Sequence, residues 1–454
     1  MAEAVAAAIA AEQVVATGIE AAAAVAIAAP TLPLKISLTQ LRNPAPRPAD
    51  HTVLNRSHHT LTVIDNKAVI FGGQDSSGKL CPPGIHTLTL PEPSPPQTHA
   101  GAAVTCPADA APYPTAYTCY PSFPLQDAST GEVLVPRPRS DHAACSRGGR
   151  FLLVHGGRGA DGGPVEEDNC LWQWDWENLS WAKLRGDSQL GAEMRPRWGH
   201  DMFVDEAQGF LVLVGGRRGG AAGCEGLETE AWMYDFDALA WTALPPVPAR
   251  PLAAAYAGGK VYVLSKAVGD GEGRLGGAVH FLDMRESPTQ REKPSALAWK
   301  TVDFPANPLA PGPKPREGGA LVPMTTGYGR EYLVYMFGCS DDGEGNREYY
   351  SDVWTLQLPT KGFNPASAKD KIRKELPIME SDEFRWAEAE IVPTEQITEE
   401  GKVHPGPRGL FGADSCLNGR GVVLWGGVNA KGEKEGDGWI LRPAYGYADN
   451  DRWE

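Results

Sequence analysis

The sequence lacks an uninterrupted apolar run long enough to cross a bilayer, any pair of cysteines at metal-ligand spacing, and any excess of basic charge. Each absence removes a class of protein. A membrane-spanning helix needs ~20 consecutive apolar residues, and the most apolar stretch, Ala4 to Ala29, is interrupted by Glu12 and Glu20. That stretch also lacks the positive start of a secretory leader and the arginines of a mitochondrial one, the first basic residue being Lys35. Its alanines predict a helical tail over residues 1–33, ended by Pro30 and Pro33. Phosphate backbones reward basic patches, whereas the 454-residue chain sets 42 Lys and Arg against 57 Asp and Glu, a net charge of −15. Neither nucleic acid nor a membrane is an expected partner. Eight cysteines without a CxxC pair suggest neither a disulfide framework nor a zinc site, and a reducing, cytoplasmic setting is expected. HExxH and glycine-rich phosphate loops are missing as well, so no metal or cofactor is expected.

What the chain has in quantity is 52 Gly, 39 Pro and 13 Trp, the composition of a loop-rich, all-β protein. It also repeats itself. Residues 171–184, Leu-Trp-Gln-Trp-Asp-Trp-Glu-Asn-Leu-Ser-Trp-Ala-Lys-Leu, match residues 231–244, Ala-Trp-Met-Tyr-Asp-Phe-Asp-Ala-Leu-Ala-Trp-Thr-Ala-Leu, without a gap. Both read as hairpins, with period-2 aromatics in one strand, an acidic turn, and a second Trp opening the return strand. Ahead of each lies a unit made of an arginine, a short strand, a turn, an apolar strand and paired glycines. Arg56, Arg139, Arg197 and Arg408 lead to Gly72-Gly73, Gly156-Gly157, Gly215-Gly216 and Gly426-Gly427. Arg316 leads to Gly338, with Cys339 expected at the second glycine, and Arg250 opens a degenerate copy whose glycines are replaced by Ser265 and Lys266.

Six such units, covering residues 34–443, resemble the kelch repeat, whose family forms β-propellers of four-stranded blades around a channel. The resemblance implies glycines that turn beside the channel and a fourth-strand tryptophan filling the space between blades. The last unit, ending at Leu441, has no fourth strand, and Leu34–Leu38 alternates apolar and polar residues with no other partner. The expectation is a six-bladed ring closed by this N-terminal strand, followed by a short polar tail over 444–454. The surplus length falls in insertions at 91–136, 269–277 and 361–381, with a fourth strand of the first blade near Ala116–Tyr120 and a helical turn within 369–378.

The recurring Arg56, Arg139, Arg197, Arg250, Arg316 and Arg408 are candidate ligands of an acidic partner. If each begins the first strand of a blade, six guanidiniums gather at one channel mouth with His58, His142, His200 and Trp198, and with Arg158 and Arg217 after two glycine pairs. Guanidinium forks bind carboxylates bidentately, and the resemblance implies that acidic peptide loops are received there. The alternative is structural: the arginines cap backbone carbonyls, or pair with Asp141, Asp201 and Glu317. The functional expectation is a monomeric, non-catalytic protein-interaction scaffold or adaptor. Its rival is a metal-dependent lyase or isomerase like the lone-propeller specifier proteins, although no segment carries their spaced Glu, Asp and His.

Overall fold

In the computed structural model six of the sheets, each with four antiparallel strands at its heart, are arranged as a six-bladed β-propeller. The structure describes residues 31–41, 51–92, 116–122, 131, 133–184, 186–188, 194–217, 228–266, 277–286, 297–304, 312–326, 329–341, 347–360, 370, 383–393 and 402–444. Most of the three insertions and the last ten residues lie outside that set, as do residues 1–30 of the expected helical tail and all of the expected turn within 369–378 but Asp370, while Thr31, Leu32 and Pro33 are described and are not helical.

Blade one is built from Thr60–Ile64, Lys67–Phe71, Ile85–Thr89 and Tyr117–Tyr120, the last strand close to where the sequence placed it. The two matched hairpins are the outer halves of blades two and three, as Leu171–Asp175 with Ser180–Leu184 and Ala231–Asp235 with Ala240–Leu244. Blades four and five begin at Pro251–Ala257 and Ala320–Thr325. Blade six takes three strands from the C-terminal end, Gly412–Cys416, Gly421–Trp425 and Gly438–Pro443, and its fourth from the N-terminal end, Lys35–Leu41. The closing strand runs antiparallel to the last one, with Ile36 opposite Pro443 and Leu41 opposite Gly438. Glu390–Val392 then adds a parallel strand outside it, covering an edge that would otherwise expose unpaired backbone groups.

The core is a set of six apolar clusters, one between each pair of neighbouring blades. Ile36 and Leu38 pack with Val322, Val334 and Met336 between blades five and six. Leu41, Val423 and Trp425 pack with Leu61 and Ile70 between blades six and one, which completes the circle. The fourth-strand tryptophans fill these wedges and lean on the preceding blade. Trp181 meets Phe71 with ring centroids 5.3 Å apart, and Trp241, fully buried, meets His155 at 5.5 Å.

In blade one glycine is required where the second strand ends. Gly73 has φ +85°, and a Cβ there would lie 2.6 Å from the Ser57 carbonyl oxygen, a clash as well as a left-handed conformation. The pair in blade five sits one residue earlier than the sequence suggested. Phe337, with φ +53°, occupies the first glycine position, Gly338 the second, and Cys339 lies beyond it. The register follows from the hydrogen bonds: Gly338 N–H donates to the Arg408 carbonyl at 2.8 Å, as Gly73 N–H donates to that of Arg139.

Candidate functional site

The six recurring arginines divide five to one. Arg56, Arg139, Arg197, Arg316 and Arg408 are at most 2% exposed. Each donates Nη1 to the carbonyl that ends its own second strand: Gly72, Gly156, Gly215, Phe337 and Gly426 in turn, at 2.9–3.2 Å. Three of them also donate Nε to the carbonyl two residues back, Arg139 to Arg137, Arg197 to Arg195 and Arg316 to Lys314. These are the carbonyl caps of the structural alternative, so the mouth of six guanidiniums is not assembled.

The carboxylates that close the clamps are not those the sequence suggested. Arg139 Nη2 meets Glu167 at 2.8 Å, Arg197 Nη2 meets Glu230 at 2.6 Å, Arg316 Nη2 meets Asp352 at 2.8 Å and Arg408 Nη1 meets Asp437 at 2.7 Å. The same acids accept the indole N–H of Trp172, Trp232, Trp354 and Trp439 at 2.7–3.0 Å. Burial alone would raise the Asp437 carboxyl, but Arg408 and the Trp439 N–H hold it below the usual carboxylate range. Sequence reasoning missed these acids although a signal was present: in three copies an acid stands two residues before the third-strand tryptophan, as Glu230-Ala231-Trp232, Asp352-Val353-Trp354 and Asp437-Gly438-Trp439.

The histidines are also redistributed. His142 and His200 are 5% exposed and packed between blades, with His142 Nε2 2.8 Å from the Thr60 hydroxyl and His200 Nε2 3.0 Å from His155 Nδ1. Their counterpart in blade one is His59, three residues after its arginine, and Phe411 holds that place in blade six. A Cβ on the second glycine would strike each of them, His59 from Gly73, His142 from Gly157, His200 from Gly216 and Phe411 from Gly427. Burial, with Arg139 adding, holds the His142 imidazole well below its ordinary pKa, so the ring is neutral where it packs between the blades.

His58 lies in a circlet of backbone hydrogen bonds linking successive blades. Gly199 N–H donates to Asp141, Asp141 to His58, His58 to Leu410 and Leu410 to Gly318, at 2.7–3.0 Å. All five residues have positive φ. Among the described residues the circlet is open at blade four, where a register shift falls between Pro251 and Ala253.

Beside this opening lie the groups that do reach solvent. Arg250, free of any clamp and with its side chain 47% exposed, meets Glu228 at 2.5 Å and Glu317 at 2.6 Å. Arg217 meets Glu317 at 2.8 Å. The half-buried Trp198 is flanked by guanidiniums, Arg158 at 4.5 Å and Arg217 at 5.4 Å from its ring centroid, and Arg158 lies 3.8 Å from Asp141. Exposed ion pairs of this kind are worth about 0–1 kcal/mol each. Trp198 is therefore an aromatic plate between two partly exposed cations, with Arg250 sharing the carboxylate of Glu317 with Arg217. Among the described residues no three His, Cys, Asp or Glu side chains group to hold a metal ion, and no helix is long and apolar enough to cross a membrane.

The fold and the repeated clamp define the class: this is a six-bladed β-propeller. No family model matches the chain. Acyl-CoA-binding domain-containing protein 4 of Arabidopsis thaliana is 26% identical over 261 residues, 56% of this chain and 31% of that one, so the chain spans about a third of that relative's length. The structure of YjhT overlays with a TM-score of 0.48 at 15% identity, covering 84% of this chain and 93% of the other.

Proposed function

We propose that this chain is a kelch-type propeller acting as a non-catalytic protein-interaction module in the cytoplasm, and that it receives an acidic segment of a partner protein at the mouth around Trp198. The observation that carries the reading is the stack itself. Arg158 and Arg217 lie against Trp198, each guanidinium more than a third exposed, while the five clamped arginines are enclosed. Cations held over an aromatic ring are oriented before a ligand arrives, and Arg250 widens the cationic rim. A short carboxylate-bearing loop would replace Glu317 or Asp141 as the partner of these groups.

The test uses fluorescent peptides containing runs of Asp and Glu, paired with Asn and Gln counterparts of the same length. Acidic peptides are expected to bind more tightly at low salt, and Trp198→Ala combined with Arg158→Ala to weaken binding more than tenfold, the loss of a charge-assisted contact worth about 1.5–3 kcal/mol. Equal binding of the amide peptides, or unchanged affinity of the double variant, refutes it. Stoichiometric iron or copper in the purified protein would favour a metal-assisted lyase or isomerase instead.

A further inference from the structure

Four of the five buried arginine clamps are closed by an acid of the same blade, and the one in blade one is not. Arg56 donates Nε to the Val53 carbonyl at 2.6 Å and Nη1 to that of Gly72 at 3.2 Å, and its Nη2 lies 2.7 Å from His86 Nε2. A guanidinium can only donate, so His86 Nε2 accepts, and its Nδ1 hydrogen is directed to the Tyr117 hydroxyl 2.8 Å away. Burial, with Arg56 adding, pushes the His86 imidazole down to about 3, so the ring is neutral and brings Arg56 no counter-charge. His86 holds the place of the clamp tryptophan, opposite Ile70 as Trp232 is opposite Leu213. Two residues before it, where blades three, five and six carry Glu230, Asp352 and Asp437, stands Gly84; five before it, where blade two carries Glu167, stands Cys81.

Among the described residues no carboxylate touches the buried Arg56 and Asp75 acts on it only from a distance, an arrangement that is costly unless something supplies the charge. Of the five guanidinium N–H groups three are directed as above, leaving two. There is also room. A Cβ on Gly84 would lie 3.6 Å from His86 Nε2, 3.6 Å from the Tyr120 carbonyl oxygen and 3.9 Å from Cys119 Sγ, ordinary contact distances. Cys119 is exposed. The acids that close the other clamps keep 10–25% of their side chains in solvent, so in four blades the carboxylate of the clamp is reached by water.

We propose that the blade-one clamp is a carboxylate-binding site: Arg56, steadied by His86 and Tyr117, takes from a ligand the carboxylate that each other clamp takes from its own blade. The site does not depend on the mouth around Trp198, since it uses none of its residues. A free small acid and an Asp or Glu side chain of another protein present the same group, and the experiment separates them.

Thermal unfolding of the full chain is followed in sodium acetate, in sodium chloride at equal ionic strength, and in chloride with the blocked peptide acetyl-Gly-Glu-Gly-amide. Acetate is expected to raise the wild-type midpoint, because a ligand bound to the native state alone stabilises it by mass action. Gly84→Asp, which rebuilds the acid two residues before His86, is expected to raise the midpoint in chloride and to abolish the acetate response, whereas the uncharged Gly84→Asn does neither. A peptide effect equal to that of acetate assigns the site to protein side chains; an effect of acetate alone assigns it to small acids. A wild-type midpoint identical in acetate and chloride overturns the proposal, as does a Gly84→Asp protein that still responds to acetate. Should Gly84→Asp not fold, the His86 ring resonances of the wild type decide: saturable shifts on acetate titration support the site, and unchanged resonances overturn it.

Discussion

Removing the apolar contacts of the closing strand should loosen the whole ring rather than one blade. Ile36, Leu38 and Leu41 are at most 1% exposed, and full burial of such side chains is worth roughly 1.5–3 kcal/mol each, or about 5–9 kcal/mol for the three. Domains of this kind are stable by about 5–15 kcal/mol, so this strand carries a large share of the total. The combined variant Ile36→Ala and Leu38→Ala empties two positions of one cluster, where each truncation costs about 2–5 kcal/mol. The assay is urea unfolding read by tryptophan fluorescence, with native-state hydrogen exchange read separately in blades three and six. A fall in midpoint, with blade three exchanging faster together with blade six, is the expected result. An unchanged midpoint, or faster exchange confined to blade six, would refute the reasoning that the two chain ends hold the circle shut.

Two further outcomes follow from the buried charges. Asp437→Ala would strand the fully buried Arg408 without its carboxylate and is expected to cost about 3–5 kcal/mol, checked by urea unfolding; a loss under about 1 kcal/mol contradicts the clamp. The buried His59 is pushed down to about 3 by desolvation first and Arg56 second. Its folded pKa lies below the unfolded value of about 6.5, so its contribution is complete above that pH and is lost as pH falls. Between pH 7 and pH 5 the loss is about 2 kcal/mol. Since Phe411 fills the equivalent place in blade six, His59→Phe should reduce the pH 7 to pH 5 difference in unfolding free energy by that amount, and an unchanged difference refutes the assignment.

The architecture was legible because its signals are local. Paired glycines mark a turn with left-handed backbone, alternating aromatics mark a strand, and the second Trp of each hairpin marks the wedge between blades. The absence of a fourth strand after Leu441 and the orphan alternation at Leu34–Leu38 sufficed to predict the closure. Blade five shows the limit: the sequence placed the glycine pair by the letter Gly, whereas the backbone puts Phe337 in the left-handed position, which only the inter-blade hydrogen bond of Gly338 reveals.

The sequence alone determined the number of blades, their order and the way the ring closes, since each follows from patterns within a few residues and from burial of one face per strand. It did not determine which arginines remain available, since the fate of a guanidinium depends on whether a carboxylate from another loop reaches it in a place without water. Glu167 and Asp352 reach theirs across 28 and 36 residues of sequence, Gly84 leaves Arg56 without one, and Arg250, in the blade that lost its glycines, stays at the surface. Desolvation and charge pairing are properties of the assembled ring, and there the tertiary structure divided six equivalent arginines into five internal braces and one exposed cation.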